Sequence, residues 1–336
     1  MTSNFPFSAI VGQETMKQAL ILTAIDPSIG GVLVFGERGT GKSTIVRSLT
    51  ALLPEIKAIK GCPYNCYEAN TDCLFCETQK NGRIEKKSTP IVDLPLGSTE
   101  DRVVGSLNLE IALSQGRKSF EPGLLANANR GYLYIDEVNL LEDHIVDLLL
   151  DVAASGENLV EREGLSIKHE SKFVLVGSGN PEEGELRPQL LDRFGLSVEV
   201  RSPNTLPERI EVIKRRTKFD ERNLAFLDFW AKEDAKIRRK ILRAKKKLPQ
   251  IESPDQILEK CAELCMGLGS DGLRGELTLL RAAKAQAAYD NKPVIDLMHL
   301  KKVASICMGH RLRKDPLDDV GSTVRVEKAV EEILGL

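Results

Sequence analysis

The stretch "GVLVFGERGTGKSTIVRSLTALL", residues 31–53, decides the fold class. An apolar run enters a glycine-rich loop and an amphipathic stretch leaves it, which is the strand–loop–helix context of a phosphate-binding loop. The loop matches the pattern G-x-x-x-x-G-K-[S/T] in full, and its glycines let backbone N–H groups turn toward phosphate oxygens. We expect Lys42 to contact the β- and γ-phosphates and the Ser43 hydroxyl to ligate Mg²⁺. The residues predicted to bind nucleotide are Gly36, Glu37, Arg38, Gly39, Thr40, Gly41, Lys42, Ser43 and Thr44.

A second apolar run, "YLYIDE" (132–137), carries the acids that a phosphate loop works with. Asp136 is expected to hold Mg²⁺ through water, and Glu137 to orient or deprotonate the attacking water. Asn180 follows the next apolar run, residues 173–179. Because the carboxyl ends of parallel strands share the edge where ligands bind, Asn180 is expected to reach the attacking water or the γ-phosphate. Taken alone, an Asn before Pro is usually a turn residue.

Candidate strands alternate with helical stretches along the first 200 residues, which predicts an α/β fold: a P-loop parallel sheet with helices on both faces. Two alternating runs flank Glu163–Gly164 and predict a β-hairpin. After about residue 203 the strand signals fade and helical patterns follow. The predicted domains are a nucleotide-binding domain at 1–202, with a cysteine-rich insertion at 60–80 and a hairpin insertion at 158–169, and a smaller all-helical domain at 203–336.

Composition and charge restrict the class of protein. A chain of 336 residues exceeds one comfortable core, so two domains are expected. The net charge of −2 gives no global reason to expect nucleic acid.

Residues 236–247 carry eight Lys and Arg, but four apolar residues recur among them at helical spacing: Ile237, Ile241, Ala244 and Leu248. This pattern favours a helix with a solvated basic face over a nucleic-acid contact. With no signal pattern and no apolar run of membrane-spanning length, we expect a cytoplasmic protein, or a stromal one whose plastid transit peptide has been removed.

Four of the seven cysteines lie within fifteen residues: Cys62, Cys66, Cys73 and Cys76. In a reducing compartment this clustering indicates a metal more than a disulfide framework. The spacings of three, six and two residues are compatible with tetrahedral Zn²⁺ or with an iron–sulfur cluster, although the first pair is looser than the usual zinc spacing. The alternative is four buried or free thiols in an insertion.

Two arginines are candidates for contact with the phosphates. A phosphoryl transition state is stabilised by a guanidinium that arrives late, often from a neighbouring subunit, and Arg193 follows a short helical stretch. Arg274 opens a helical stretch in the second predicted domain, from which it could report the nucleotide state across the domain junction. For either arginine taken alone, a surface ion pair is the default interpretation.

These motifs in this order are the signature of AAA+ ATPases, and longer stretches resemble the I subunit of magnesium chelatase. The similar stretches are residues 7–44, 94–113, 120–167, 177–196 and 310–316. The resemblance, over about residues 5–317, implies a hexameric ATP-hydrolysing ring and a C-terminal lid domain. It also implies two partners: a second AAA+ subunit with an integrin-like domain, and a large subunit that binds protoporphyrin IX and inserts Mg²⁺ in chlorophyll or bacteriochlorophyll synthesis. By motif match, Arg193 resembles the family's trans-acting arginine finger and Arg274 its sensor arginine.

The resemblance also raises three points about other residues. Plant-type members lack the four-cysteine cluster. Cys265 and Cys307 stand near the places where plant-type relatives carry a redox-sensitive pair, although two buried free thiols are the more ordinary arrangement. The hairpin and residues 97–113 look like family insertions that face the pore of the ring or a partner.

A second function stays open: a MoxR-like remodelling ATPase that activates a different protein or metal-insertion client.

Overall fold

A computed structural model describes residues 4–68, 73, 75–76, 83–108, 114, 119–162, 165–180, 186, 188–270, 272–312 and 322–335. Three parts of the predictions above lie outside these residues: the hairpin turn Glu163–Gly164, residues 109–113 of the segment 97–113, and most of residues 69–82 in the cysteine-rich insertion. The chain divides into two compact units, Met1–Leu52 with Gly179–Leu336, and Leu53–Ser178.

The strands and helices follow one another in this chain order. The strands are β1 Gly31–Gly36, β2 Ile56–Ile59, β3 Ile84–Lys87, β4 Ile91–Leu94, β5 Gly105–Leu107, β6 Phe120–Pro122, β7 Tyr132–Ile135, β8 Glu157–Arg162, β9 Leu165–Glu170, β10 Val174–Gly179 and β11 Phe194–Val200. The helices are α1 Glu14–Ile25, α2 Lys42–Ser48, α3 Glu100–Val104, α4 Leu124–Ala128, α5 Asp143–Ser155, α6 Pro188–Arg193, α7 Leu206–Asp220, α8 Leu224–Lys247, α9 Asp255–Gly267, α10 Arg274–Tyr289, α11 Leu297–Met308 and α12 Ser322–Leu334.

A five-stranded sheet has the order β11-β1-β10-β7-β4. β1 pairs in parallel with β11, and β7 pairs in parallel with both β10 and β4. All four residues of β7 and all six of β10 are buried, as expected for strands whose two faces are both covered. The prediction of a parallel α/β sheet is therefore confirmed. The sequence analysis missed β4, which is four residues long and carries Asp93 in its middle.

The unit made of Leu53–Ser178 contains three smaller antiparallel pairs, β2 with β3, β5 with β6, and β8 with β9. Helix α5 buries Ile145, Leu149 and Val152, which recur at helical spacing, and it ends where Gly156 adopts a left-handed conformation with φ of 73°. The β8–β9 hairpin begins directly after that glycine. Its buried face carries Asn158, Val160, Ile167 and His169.

The other unit contains β1 and β11 and the helices α7 to α12. The run of Lys and Arg on α8 follows the predicted pattern, because Ile241 and Ala244 are buried while Arg243 is exposed. At the start of α8's basic half, the buried Asp234 accepts hydrogen bonds from the backbone N–H groups of Phe7 (3.2 Å) and Ser8 (2.8 Å). Within the part of the chain that the structure describes, no helix has the length and apolar character that crossing a membrane requires.

Candidate functional site

The phosphate loop runs from the end of β1 to the start of α2. Gly39 and Gly41 have φ of +79° and +85°, which side chains rarely adopt. Gly36 is needed for a different reason: a Cβ there would lie 2.3 Å from the backbone oxygen of Val200 on β11. The Lys42 ammonium donates to the backbone oxygens of Gly36 and Glu37, the latter at 3.0 Å. The Lys42 ammonium is thus held against the backbone of the loop itself.

The acid pair stands where β7 ends. Asp136 is exposed, and its Oδ1 lies 3.0 Å from the Tyr134 hydroxyl and accepts a hydrogen bond of 2.6 Å from the Ser178 hydroxyl. Glu137 has φ of 56° and ψ of 57°, a left-handed conformation that is uncommon for a residue other than glycine. The chain therefore turns sharply at the second acid, directly after a fully buried strand.

Ser178, which was not predicted from the sequence, is the residue that joins the two acids. It lies on β10, is fully buried, and accepts a hydrogen bond of 3.2 Å from the backbone N–H of Glu137 while it donates to Asp136. The Tyr134 hydroxyl lies 3.2 Å from the same oxygen. One hydroxyl thus orients the Asp136 carboxylate and the backbone of Glu137 together. The signal in the sequence was a serine inside an apolar strand, because a buried hydroxyl must find a partner.

The remaining predicted residues take positions at the ends of elements. Asn180 directly follows β10 and is 6% exposed. Arg193 is the last residue of α6 and Arg274 the first residue of α10, and both side chains are exposed. Their roles in catalysis remain predictions.

The hairpin is tied to its surroundings by a buried polar pair. Asn158 Nδ2 donates to the Val104 backbone oxygen at 2.9 Å and lies 3.0 Å from His169 Nε2. His169 Nδ1 lies 3.0 Å from the Glu170 backbone oxygen, so the tautomer with the proton on Nδ1 satisfies both contacts. Burial lowers the pKa of His169, which favours this neutral form.

The four clustered cysteines come together in one place. Their Sγ atoms all lie within 4.8 Å of one another, and none of the seven cysteines, all of which lie in the described part of the chain, forms a disulfide. Cys62, Cys73 and Cys76 are buried, and Cys66 is partly buried. The structure thus gathers the four residues that their spacing picked out as possible metal ligands.

Cys265 and Cys307 are both fully buried in the helical part of the chain. The Cys265 sulfur lies 3.8 Å from the sulfur of Met308. Burial raises the pKa of both thiols, that of Cys265 to about 12. Because the thiolate is the form that oxidises readily, burial protects both residues, and the redox hypothesis remains a prediction.

Family models match two parts of this chain. A family model described as an AAA domain of the dynein-related subfamily matches residues 79–194, and one described as an AAA lid domain matches residues 258–333. The first range includes the acid pair, Asn180 and Arg193. The second lies within the predicted helical domain.

The curated relatives cover almost the whole chain. The magnesium-chelatase 38 kDa subunit of Cereibacter sphaeroides is 64% identical over 334 residues, which is 99% of this chain and 100% of that protein. The magnesium-chelatase subunit ChlI of a Nostoc species is 51% identical over 99% of this chain and 90% of that one. A structure of the complex between subunits BchI and BchD of magnesium chelatase, based on a single-particle cryo-EM reconstruction, contains a chain 60% identical, with a TM-score of 0.55, that covers 96% of this chain and 99% of that one. The chain therefore belongs to the family of the magnesium-chelatase 38 kDa subunits, among the AAA ATPases.

Proposed function

We propose that this chain is the ATP-hydrolysing motor subunit of a magnesium chelatase, in which a partner subunit inserts Mg²⁺ into protoporphyrin IX. The observation that carries the proposal is the 64% identity to a magnesium-chelatase subunit along the full length of both chains. Mg²⁺ gives up its water shell reluctantly, so its transfer into a tetrapyrrole needs a source of free energy that ATP hydrolysis can supply. The MoxR-like alternative is not favoured, because relatives with 51–64% identity carry chelatase names.

ATP and Mg²⁺ are the cofactors of this activity. Mg²⁺ takes oxygen ligands and usually keeps several of its waters, so Ser43 would supply a hydroxyl oxygen and the Asp136 carboxylate would hold the ion through a water. The hydrogen bonds from Tyr134 and Ser178 orient the Asp136 carboxylate before any ion arrives. When bound, the ion would neutralise charge that develops on the β- and γ-phosphate oxygens.

The protein's own groups would divide the remaining work. Lys42 and the loop from Gly36 to Thr44 would hold the phosphates, and Glu137 would orient or deprotonate the attacking water. In parallel sheets, ligands bind beyond the carboxyl ends of the strands. The loop follows β1, the acid pair follows β7 and Asn180 follows β10, which supports a role for Asn180 near the γ-phosphate.

We infer that the subunit works as a hexameric ring. An exposed arginine at the end of α6 suits a group that acts on the nucleotide of a neighbour, and head-to-tail contacts form closed rings when the rotation permits. Arg193 would then act in trans, and Arg274, in the proposed helical domain at 203–336, would act in cis.

The structure of the complex between BchI and BchD supports a second chelatase subunit as a partner, and the large porphyrin-binding subunit would be the other partner. The cytoplasm or the plastid stroma is the proposed location.

Reconstitution tests the proposed activity. The chain, mixed with the two other subunits of a bacterial magnesium chelatase, is expected to give ATP-dependent magnesium-protoporphyrin, measured by its fluorescence. A ring of Glu137→Gln chains is the matched control and should give none. ATP hydrolysis without any metallated porphyrin, at every ratio of partners, would instead point to a remodelling ATPase with another client.

Ser178 is expected to act as a positioning residue for the acid pair. Ser178→Ala removes the hydrogen bond to the Asp136 carboxylate, so we expect kcat for ATP hydrolysis to fall about 10-fold, the equivalent of one hydrogen bond to a charged group. The Mg²⁺ concentration needed for half-maximal rate should rise, while the KM for ATP changes little. Steady-state phosphate release over a Mg²⁺ titration measures both.

Ser171→Ala is the matched control for this substitution. Ser171 is also fully buried, but it donates to the backbone oxygen of Leu125, at 3.0 Å, and not to an acid. This variant is expected to lose some thermal stability and to keep its Mg²⁺ dependence. If both variants shift the Mg²⁺ dependence equally, Ser178 has a general structural role only.

We also propose that the four-cysteine cluster binds metal, with Zn²⁺ and an iron–sulfur cluster as the two candidates. The convergence of the four sulfurs supports this proposal.

A further inference from the structure

The distances between the four sulfurs fit a single ion. Cys62 Sγ lies 3.8 Å from Cys73 Sγ and 3.6 Å from Cys76 Sγ, and no pair in the set is more than 4.8 Å apart. A tetrahedron of sulfurs with Zn–S bonds of about 2.3 Å has edges of about 3.8 Å. In an iron–sulfur cluster, bridging sulfides and a second iron separate thiolates that bind different irons, so the thiolates need a wider arrangement. The short distances between the four sulfurs therefore favour one tetrahedral ion.

The backbone explains how a spacing of three residues serves such a site. Gly61 and Asn65 have φ of 78° and 55°, so the chain turns tightly on both sides of Cys62. The Cys66 backbone oxygen accepts a hydrogen bond of 2.9 Å from the N–H of Ile59, which returns Cys66 to the end of β2. Three residues separate Cys62 from Cys66, compared with two between Cys73 and Cys76. The left-handed turn at Asn65 accommodates the additional residue.

The described side chains that pack around the sulfurs are apolar. Ile59, Tyr64 and Ala126 are buried around them, and Phe75 packs against the same cluster. Unrelated buried thiols would each pack among apolar side chains, but here Cys62 has two other sulfurs within 3.8 Å. Apolar walls with sulfur atoms gathered at the centre are the arrangement of a structural zinc site, in which four protein ligands close the coordination shell.

The loop between the first two cysteines is bound to the turn that precedes β7. Asn65 Nδ2 donates to the backbone oxygens of Asn127 and Asn129, both at 3.0 Å, and Asn129 Nδ2 donates in return to the Tyr64 backbone oxygen at 2.7 Å. The Arg130 guanidinium donates to the Asn65 backbone oxygen at 2.9 Å. The Lys87 ammonium donates to the Asn65 side chain. These two cations also supply positive charge beside a site whose four thiolates outweigh the charge of one Zn²⁺.

The same loop reaches the hairpin. The Tyr64 ring packs on the His169 ring, with centroids 4.7 Å apart. His169 in turn contacts Asn158 on the paired strand, as described above. The cysteines, the turn before β7 and the buried face of the hairpin therefore form one continuous set of contacts.

We propose that Cys62, Cys66, Cys73 and Cys76 bind one structural Zn²⁺, and that this ion holds the Tyr64–Asn65 loop so that Tyr64 positions the β8–β9 hairpin. The proposal narrows the metal site proposed above to one ion and gives it a mechanical role. It does not depend on ATP hydrolysis, because its tests measure the metal content of the chain and the protection of backbone amides from hydrogen exchange, both without nucleotide.

Metal analysis of the purified full chain is the first test. We expect about one zinc per chain by plasma mass spectrometry, without stoichiometric iron and without the visible absorption of an iron–sulfur cluster. Replacement of the zinc by Co²⁺ should give the intense thiolate-to-metal charge-transfer bands and visible bands of a tetrahedral tetrathiolate site. Stoichiometric iron, or a chain that neither carries zinc nor takes up Co²⁺, would overturn the proposal.

Substitutions test the ligands and the link to the hairpin separately. Cys62→Ser and Cys76→Ser should lose most of the zinc, because a structural site depends on all four ligands. Cys261→Ser, at a buried cysteine outside the cluster, is the matched control and should keep it. Tyr64→Leu should also keep the zinc, but amide hydrogen exchange in β8 and β9 should become about 10-fold faster or more, which corresponds to roughly 1.4 kcal/mol.

Chelation of wild-type zinc repeats the hairpin test without any substitution, in case the cysteine variants fold poorly. Zinc removal is expected to speed exchange in β8 and β9 as Tyr64→Leu does, and added Zn²⁺ should reverse the effect. Unchanged hairpin exchange in both experiments would refute the mechanical role, whatever the metal content.

Discussion

Glu137→Gln is expected to lower the rate of ATP hydrolysis by about 10²- to 10⁴-fold, the range that a positioned general base contributes, and to leave ATP affinity nearly unchanged. The amide keeps the size of the side chain and the sharp turn at this position, but it cannot take a proton from water. Single-turnover phosphate release gives the rate, and titration with a fluorescent ATP analogue gives the affinity.

Lys42→Ala is the variant with which the affinity and the rate of Glu137→Gln should be compared. It removes a charge that is expected to contact the phosphates in both the bound and the reacting state, so affinity and rate should fall together. The two variants thus separate binding from chemistry. If Glu137→Gln and Lys42→Ala lose ATP binding to the same extent, the roles proposed for these residues are wrong.

Arg193→Ala is expected to reduce hydrolysis by about 10³-fold or more, because charge that develops late on the γ-phosphate would lack its cation. Binding of ATP and assembly into rings should persist, since the residue is proposed to act at the neighbour's nucleotide. Phosphate release and native mass spectrometry measure the two properties on the same sample.

Mixed rings test whether the arginine serves a neighbour. Rings of Arg193→Ala chains alone and of Glu137→Gln chains alone are both expected to be inactive. In a mixed ring, some interfaces pair an intact Glu137 with an intact Arg193 from the adjacent chain, and ATPase activity should return in proportion to such interfaces. If native mass spectrometry confirms mixed rings and no ratio restores activity, the arginine does not act in trans.

The local features of the site were predictable, because each is carried by neighbouring residues. The phosphate loop needs glycines at particular steps, and β7 is an uninterrupted apolar run that ends in two acids. The edge strand β4 was missed because its four residues and its central Asp93 resemble a loop, and only its pairing with β7 makes it a strand. Local patterns do not report such pairings between distant segments.

Ser178 and the cysteine cluster show the same limit in different ways. The role of Ser178 depends on the approach of β10 to the end of β7, which no pattern within either strand contains. The cysteine spacing indicated a metal site, but the first pair departed from the usual pattern. The left-handed turn at Asn65 resolves that departure, and such a turn is hard to predict at a residue other than glycine.

The left-handed backbone of Glu137 has a consequence for how sequences in this family can diverge. A glutamate in that conformation costs stability, by about 1 kcal/mol relative to a glycine, so the protein keeps the carboxylate proposed for catalysis against a thermodynamic preference for another residue. Once ATP hydrolysis by a given subunit is no longer under selection, replacement of Glu137 by Gly or Asn would be neutral or stabilising. Mutation should then remove the acid quickly from such a subunit, and the identity of this one residue would distinguish ring members that still turn over ATP from those that only bind it.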